Sequence, residues 1–314
     1  MVEILNILWA VMPPFILMFV GAAARKTGCL PVTMEGSLSR FIVRILYPCF
    51  IIHQVLGSAE PVSTNEVWIA PIFGFISITI GFLIAHYIGK FLGLNDRENR
   101  AFRFCSGIFN YGFFALPIAS QVFGDFLIVK IILFNLGVEM AIWSVGVLIL
   151  TSSTFSWTKL LNPPAVSVVF ALIIQSIGGR ELFPDPIWIV LEMISACSIP
   201  FALMVIGSSF AGLFEGFHPS ARYRVEIGAF CSRNLLIPAC FMGYAVFGIF
   251  PSGMGWMAKV LIVQAAMPAG VFALLVVKSY SGASEVGLRA ILATMLGCVL
   301  TLPAWIYAGK LWVD

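Results

Sequence analysis

The stretch FNYGFFALPIA, residues 109–119, lies in the middle of a hydrophobic run that begins near Ala101 and ends near Gly124. It places the polar Asn110, the small Gly112 and Pro117 in a segment that is otherwise apolar. Proline has no N–H group, and its ring collides with the preceding turn of a helix. The stretch therefore predicts a helix that is interrupted near its centre.

A second apolar run carries the same kind of interruption in the other half of the chain. Gln264, Met267, Pro268 and Gly270 lie within a segment as hydrophobic as the first. Discontinuous helices at corresponding positions of two halves are typical of membrane transporters, whose binding site lies where the interruptions meet. A single proline often does no more than kink a helix. Two matching interruptions, each with an amide side chain and a glycine close by, favour the transporter interpretation.

The composition is that of a protein with many membrane-spanning segments. Hydrophobic residues make up 60% of the 314 residues, 11% are charged, and the mean hydropathy is +1.01. The seven cysteines lie within or beside apolar runs, without CxxC or Cys/His spacing. We therefore predict an all-α membrane protein with no metal site, cofactor or disulfide.

Spans are predicted near residues 4–24, 36–57, 68–92, 102–124, 128–151, 162–179, 186–214, 222–249, 258–280 and 284–309. The N-terminal stretch is expected to be the first of these spans and not a signal peptide. Thirteen lysines and arginines fall in one set of alternate loops and four in the other. Because cytoplasmic loops are enriched in basic residues, both termini are expected outside the cytoplasm of a plasma (bacterial inner) membrane.

The order of features in the first five spans recurs in the last five. In each half a plain helix precedes one with an internal proline, Pro48 or Pro200, and the interrupted helix comes fourth. An odd number of spans per repeat inverts the second repeat in the membrane. We therefore expect two inverted five-helix repeats, residues 1–155 and 156–314, which the polar connection 151–161 joins.

An interrupted helix at membrane depth is also a candidate anion site. Non-helical backbone survives there only where protein or a watery cavity supplies hydrogen-bond partners, so each interruption must face inward. Each half-helix N-terminus carries free N–H groups and a partial positive charge, which favour a carboxylate. The side chains of Asn110 and Gln264 are expected to meet these termini in one small volume.

Several motifs resemble those of the auxin efflux carrier family. NYGFFALP, residues 110–117, is similar to its Asn-x-Gly-Phe-x-Gly-x-Pro, and VQAAMPAGVFALLVVKSY, residues 263–280, to its second crossover helix, including a Lys-x-Tyr. Looser similarities are the Pro-x-x-x-x-His of residues 48–53, Asn-Pro-Pro at residues 162–164, and Arg233 with Pro238. The resemblance covers essentially the whole chain.

The resemblance implies the inverted-repeat fold of bile acid/sodium symporters and sodium/proton antiporters. Spans 1, 2, 6 and 7 would form a scaffold through which two copies dimerise, and spans 3–5 and 8–10 a transport domain that moves like an elevator. The resemblance further implies a carrier of organic anions, which are auxin in plants and small carboxylates in bacteria. Two departures concern the substrate: Phe109 replaces a proline of the plant carriers, and Glu139 stands where we align a glutamine.

Charged and polar residues within the predicted spans are treated as functional candidates. Glu139 is expected to border the substrate cavity and to exchange a proton or pair with a cation; the alternative is a neutral side chain hydrogen-bonded to a neighbouring helix. Asn135 precedes Glu139 by one helical turn on the same face. Arg233 has three expected partners, the substrate carboxylate, Glu139 or a carbonyl at an interruption, unless it extends to the membrane surface. His53 is a coupling candidate on its family match, although an interfacial role is as common for such a residue.

The predicted substrate-binding residues are Asn110, Tyr111, Gly112, Pro117, Asn135, Glu139, Arg233, Gln264, Met267 and Pro268, with Glu139 and His53 as coupling residues. The predicted function is secondary transport of small organic anions such as carboxylates or auxin-like acids, by uniport or with a proton. A sodium-coupled symporter of the same fold is the first alternative. An intramembrane enzyme fits least, because the known protease motifs and Asp-rich motifs are missing. The expected partners are the substrate, the bilayer and a second copy, with no nucleic acid.

Overall fold

The computed structural model describes residues 2–58, 62–151, 162–215, 223–248, 250, 253–280 and 283–313. The connection 152–161 between the predicted halves lies outside these ranges, as do the side chains of Lys278 and Tyr280. Within the ranges the chain is helical and forms no β-strand. The α-helices are α1 (Val2–Lys26), α2 (Val32–Phe41), α3 (Tyr47–Leu56), α4 (Thr64–Phe91), α5 (Asp96–Gly107), α6 (Ala115–Phe123), α7 (Phe126–Ala141), α8 (Val147–Thr151), α9 (Pro163–Ser176), α10 (Asp185–Glu215), α11 (Arg224–Ala229), α12 (Ile237–Phe247), α13 (Gly255–Ala266), α14 (Val271–Tyr280) and α15 (Ser284–Val313).

Seven helical stretches in the described part of the chain are long and apolar enough to cross a membrane. They are Ile7–Lys26, Val32–Leu56, Thr64–Phe91, Phe126–Leu150, Asp185–Phe214, Arg224–Phe247 and Ser284–Val313. The other three predicted spans are shorter helices in the structure. Two of them are interrupted, between α5 and α6 and between α13 and α14. The third, α9, has 14 residues and is about 21 Å long at ~1.5 Å per residue, against a hydrocarbon core of about 30 Å.

Three of the long stretches contain a π-helical turn, Ile42–Leu46, Ile142–Gly146 and Phe230–Leu236. The third turn ends just before Pro238, which cannot donate to the carbonyl of Asn234 four residues earlier. The indole N–H of Trp305 donates to that carbonyl instead, at 2.7 Å. π-Turns of this kind occur frequently at functional sites.

The helices pack as two groups. The four-helix group consists of α1, α3, α9 and α10, in which α1 packs on α10 and α3 packs on both α9 and α10. The crossing group contains α4–α8 and α11–α15, with its most extensive packing between α4 and α7. The groups touch where α1 meets α6 and α15, where α3 and α9 meet α7, and where α10 meets α14 and α15.

Glycines bring helix backbones together inside each group. A Cβ on Gly21 would lie 1.8 Å from the Met204 carbonyl oxygen, and one on Gly207 would lie 1.9 Å from that of Met18. The reciprocal glycines Gly74 and Gly137 do the same between α4 and α7, where added Cβ atoms would lie 2.0 and 1.7 Å from carbonyl oxygens. Small residues that allow such close approach are typical of helix contacts in membranes.

Candidate functional site

The two predicted interruptions are confirmed, and they lie side by side. The first break comprises residues 108–114 and the second residues 267–270. The N–H of Asn110 donates to the carbonyl of Pro268 at 2.8 Å, and the N–H of Gly270 donates to that of Ile108 at 3.0 Å. Each break thus supplies the hydrogen-bond partners that hydrocarbon could not offer the other.

Side chains from α15 and from the third π-helical turn bind the backbone at the second break and in the helix before it. The N–H of Ala269 donates to the hydroxyl oxygen of Thr294 on α15 at 3.2 Å. The guanidinium of Arg233, which is completely buried, donates to the carbonyl of Ala265 at 2.5 Å and lies 5.3 Å from the centre of the Phe109 ring. The carbonyl belongs to the last turn of α13, the negative end of that helix, which attracts a cation, while the Nε and Nη1 atoms of Arg233 have no partner among the described residues.

A buried amide pair holds the first break. The Asn135 amide donates to the carbonyl of Tyr111 at 2.8 Å, and the Gln264 amide donates to the same carbonyl at 3.3 Å. Gln264 also donates to the Asn135 side-chain oxygen at 3.0 Å. One side chain from α7 and one from α13 therefore fix the orientation of Tyr111.

The carboxyl of Glu139 accepts hydrogen bonds from three donors. The Tyr111 hydroxyl donates at 2.5 Å, the Trp143 indole N–H at 2.9 Å and the Asn162 amide at 3.3 Å. In the described part of the chain, no lysine or arginine forms an ion pair with this carboxyl. Among the described residues, a negative charge on this carboxyl would therefore be stabilised by hydrogen bonds and not by a basic side chain.

A cavity of about 340 Å³ opens beside the first break, between the two helix groups. Side chains from α2, α3, α10 and the start of α9 form one wall, and the breaks, α7 and α14 form the other. The lining is mainly apolar and aromatic, with Tyr47, Phe113, Trp143 and Phe272 among its members. Volume and lining are those of a site for a small molecule with an apolar body.

Both half-helix N-termini border this cavity. Gly112 and Phe113 come just before α6, and Val271 and Phe272 are the first residues of α14. The N–H groups at a helix start have no intrahelical acceptor and carry partial positive charge. Asn110 also lines the cavity; it is 9% exposed, and its amide nitrogen has no hydrogen-bond partner in the structure. The wall formed by the breaks thus offers the Asn110 amide nitrogen, which has no partner among the described residues, whereas the N–H groups of Ala115 and Leu116 already donate to the Gly112 carbonyl.

The family model for membrane transport proteins matches residues 6–156 and 148–306 of this chain. The chain belongs to this transporter family. The expected relationship to auxin efflux carriers is thereby confirmed. The match also points to a transport protein and not to an enzyme.

Two relatives of this transporter carry transporter names. An uncharacterized transporter from Methanothermobacter thermautotrophicus is 21% identical over 304 residues, which cover 94% of this chain and 96% of the relative. An uncharacterized transporter from Saccharomyces cerevisiae is 32% identical over 91 residues, 26% of this chain and 21% of the yeast protein.

The predicted site residues of the transporter fall into three sets. Asn110, Tyr111, Gly112 and Glu139 line the cavity. Asn135 and Gln264 lie behind it in the amide pair, Met267 and Pro268 form the buried second break, and Pro117 lies in the first turn of α6. Arg233 and His53 do not line the cavity: Arg233 binds the Ala265 carbonyl in the last turn of α13, next to the second break, and His53 packs on Trp188 at 4.9 Å.

Sequence reasoning missed the part that other helices contribute to this transporter's cavity. Tyr47 and Trp143 lie in apolar runs and were not among the predicted site residues, and Asn162 was noted only within the Asn-Pro-Pro similarity. The only local signal was Asn162 itself, because Asn followed by proline is typical of a helix N-cap. Its contact with Glu139 depends on how the helices pack.

Proposed function

We propose that the chain is a secondary transporter that exports small organic anions with an apolar body. The observation that carries this proposal is the pair of half-helix N-termini at one cavity with the unpartnered amide nitrogen of Asn110. Backbone N–H groups and the positive ends of helices stabilise a carboxylate without a basic side chain. The aromatic and aliphatic walls suit the rest of such a molecule.

Movement of the crossing group against the four-helix group would carry the anion across the membrane. We assign the ten predicted spans to two inverted repeats, with α1, α2–α3, α9 and α10 as the scaffold and dimer surface. Both termini then lie outside the cytoplasm. The separate packing of the two helix groups and the position of the cavity between them support this elevator-type mechanism.

Glu139 links transport to protons in this proposal. An anion in the cavity and an ionised Glu139 would repel each other in a medium of low dielectric constant. Binding of the anion is therefore favoured when Glu139 has taken up a proton. Anion and proton bind cooperatively and cross the membrane together.

Reconstitution into liposomes tests the function. Purified protein is assayed for uptake of radiolabelled malonate, malate and indole-acetate, with and without gradients of pH, sodium and membrane potential. We expect saturable flux of at least one carboxylate that a pH gradient accelerates. Folded protein without saturable flux of any of them would refute the organic-anion function, and flux that requires sodium but ignores pH would establish sodium coupling instead.

Substitution Glu139→Gln tests the proton role. The glutamine keeps the size of the side chain but cannot ionise, so the transport rate should become independent of pH where the wild type responds to it. Glu181→Gln, at an exposed carboxyl in the turn before α10, is the control and should leave the profile unchanged. An unaltered pH profile in Glu139→Gln would remove the proton role.

A further inference from the structure

The side-chain amide of Asn162 forms a hydrogen bond through its oxygen and another through its nitrogen. The oxygen caps the start of α9, which fixes the position of the side chain. Pro163 and Pro164 occupy the first two positions of the helix and have no N–H groups. Ala165 therefore carries the first free N–H of α9, and it donates to the Asn162 side-chain oxygen at 2.9 Å. With the oxygen held in this cap, the amide nitrogen is directed to Glu139, 3.3 Å away.

This hydrogen bond joins the two helix groups across the cavity. Asn162 begins α9 of the four-helix group, whereas Glu139 lies on α7 of the crossing group. The other two donors to Glu139, Tyr111 and Trp143, belong to the first break and to the turn after α7. Of the three donors, only Asn162 comes from the four-helix group.

We propose that Asn162 is a positioning residue that stabilises the ionised form of Glu139 and ties α9 to α7 until Glu139 takes up a proton. Hydrogen bonds to an ionised acceptor are about twice as strong as those between neutral groups. The tie is therefore strong while Glu139 is ionised and weak once it is neutral. This inference rests on the proposed function, because it gives the proton a mechanical role in transport.

The surroundings of Glu139 contain few groups that compete with this effect. The titratable side chains that face it are the phenols of Tyr111, from the first break, and Tyr47, from α3. Trp143 and Asn162 contribute neutral donors. Among the described residues no lysine, arginine or histidine interacts with this carboxyl.

The substitution Asn162→Asp keeps the N-cap of α9 and removes the hydrogen bond to Glu139. Aspartate is as good an N-cap as asparagine, so the bond to the Ala165 N–H is kept. The donor to Glu139, however, is replaced by an oxygen that repels an ionised carboxyl. Asn162→Ser also keeps a capping oxygen and removes the amide donor without adding a charge.

Two measurements decide the outcome. Infrared difference spectroscopy follows proton uptake by Glu139 directly, with its carboxyl band assigned by the loss in Glu139→Gln. The midpoint of this titration should rise by about one pH unit or more in Asn162→Asp and by less in Asn162→Ser. The pH profile of carboxylate flux should shift in the same direction, and not at all when Glu139→Gln is also present.

The matched control is Asn95→Asp at the cap of α5, where the side-chain oxygen accepts from the Glu98 N–H at 2.9 Å. It keeps a cap of the same type and should leave the titration of Glu139 unchanged. A wild-type midpoint in Asn162→Ser would overturn the inference, because the added charge of Asn162→Asp raises the midpoint whether or not the native amide donor stabilises Glu139. If no carboxylate is transported at all, the proposed function fails, but the infrared titration still decides whether Asn162 stabilises ionised Glu139.

Discussion

The two breaks differ in what surrounds them. The second break, residues 267–270, is buried and has only Gly270 at the cavity; Thr294 binds its backbone, and Arg233 binds the last turn of the preceding helix α13. The first, residues 108–114, is longer, and Tyr111, Gly112 and Phe113 are partly exposed at the cavity. Most of the break residues at the cavity therefore belong to the first break, whereas the second is held mainly by contacts inside the crossing group. We therefore expect substitutions around the second break to lower the stability of the protein, and substitutions at the first break to lower its affinity for substrate.

Removal of Arg233 should have the largest effect on stability. Arg233→Ala leaves a large void and deprives the Ala265 carbonyl of its donor, and we expect a loss of about 3 kcal/mol in the free energy of unfolding. Thermal unfolding in detergent measures it. Arg233→Met, which fills the space without donating, should fall between alanine and wild type.

Arg44→Ala provides the control for Arg233, because Arg44 is exposed on the π-turn before α3. Its loss should change the melting temperature little. If Arg233→Ala unfolds at the wild-type temperature but loses substrate affinity, Arg233 acts on the ligand and the comparison between the breaks fails.

The hydroxyl of Thr294 should contribute less. Thr294→Val keeps the shape of the side chain but leaves the buried Ala269 N–H without an acceptor, which costs about 1–3 kcal/mol. Thr79→Val is the matched control, since its hydroxyl only donates to the Phe75 carbonyl in the preceding turn of the same helix. Equal melting temperatures for the two variants would show that the second break does not need this bond.

The sequence predicted both breaks because their signals are local. Asn110, Pro117, Gln264 and Pro268 stand out against apolar neighbours, and helix propensity alone identifies such positions. Pro117 was predicted to lie at the interruption itself, but it lies in the first turn of α6, just after the break, where its missing N–H removes no intrahelical hydrogen bond.

Contacts between helices that are far apart along the chain could not be predicted from the sequence. The side of the helix on which Arg233 lies depends on a π-turn that changes the register of residues 230–236. Three partners were therefore open for Arg233, and only packing selected the Ala265 carbonyl. The approach of Asn162 to Glu139 likewise results from the packing of α9 on α3.

Removal of the Asn110 amide should have the smallest effect on stability and a large effect on binding. The nitrogen of this amide is buried without a partner, so Asn110→Ala should change the free energy of unfolding by about 0.5 kcal/mol or less. If the nitrogen donates to the carboxylate of the substrate, its loss should weaken affinity roughly tenfold or more, the equivalent of one hydrogen bond to a charged group. Asn135→Ala supplies the contrast, because its amide bonds on both sides and its removal should destabilise the protein. Substrate titrations followed by thermal unfolding give both quantities for each variant. Wild-type affinity in Asn110→Ala would show that the first break holds the ligand by its backbone N–H groups alone.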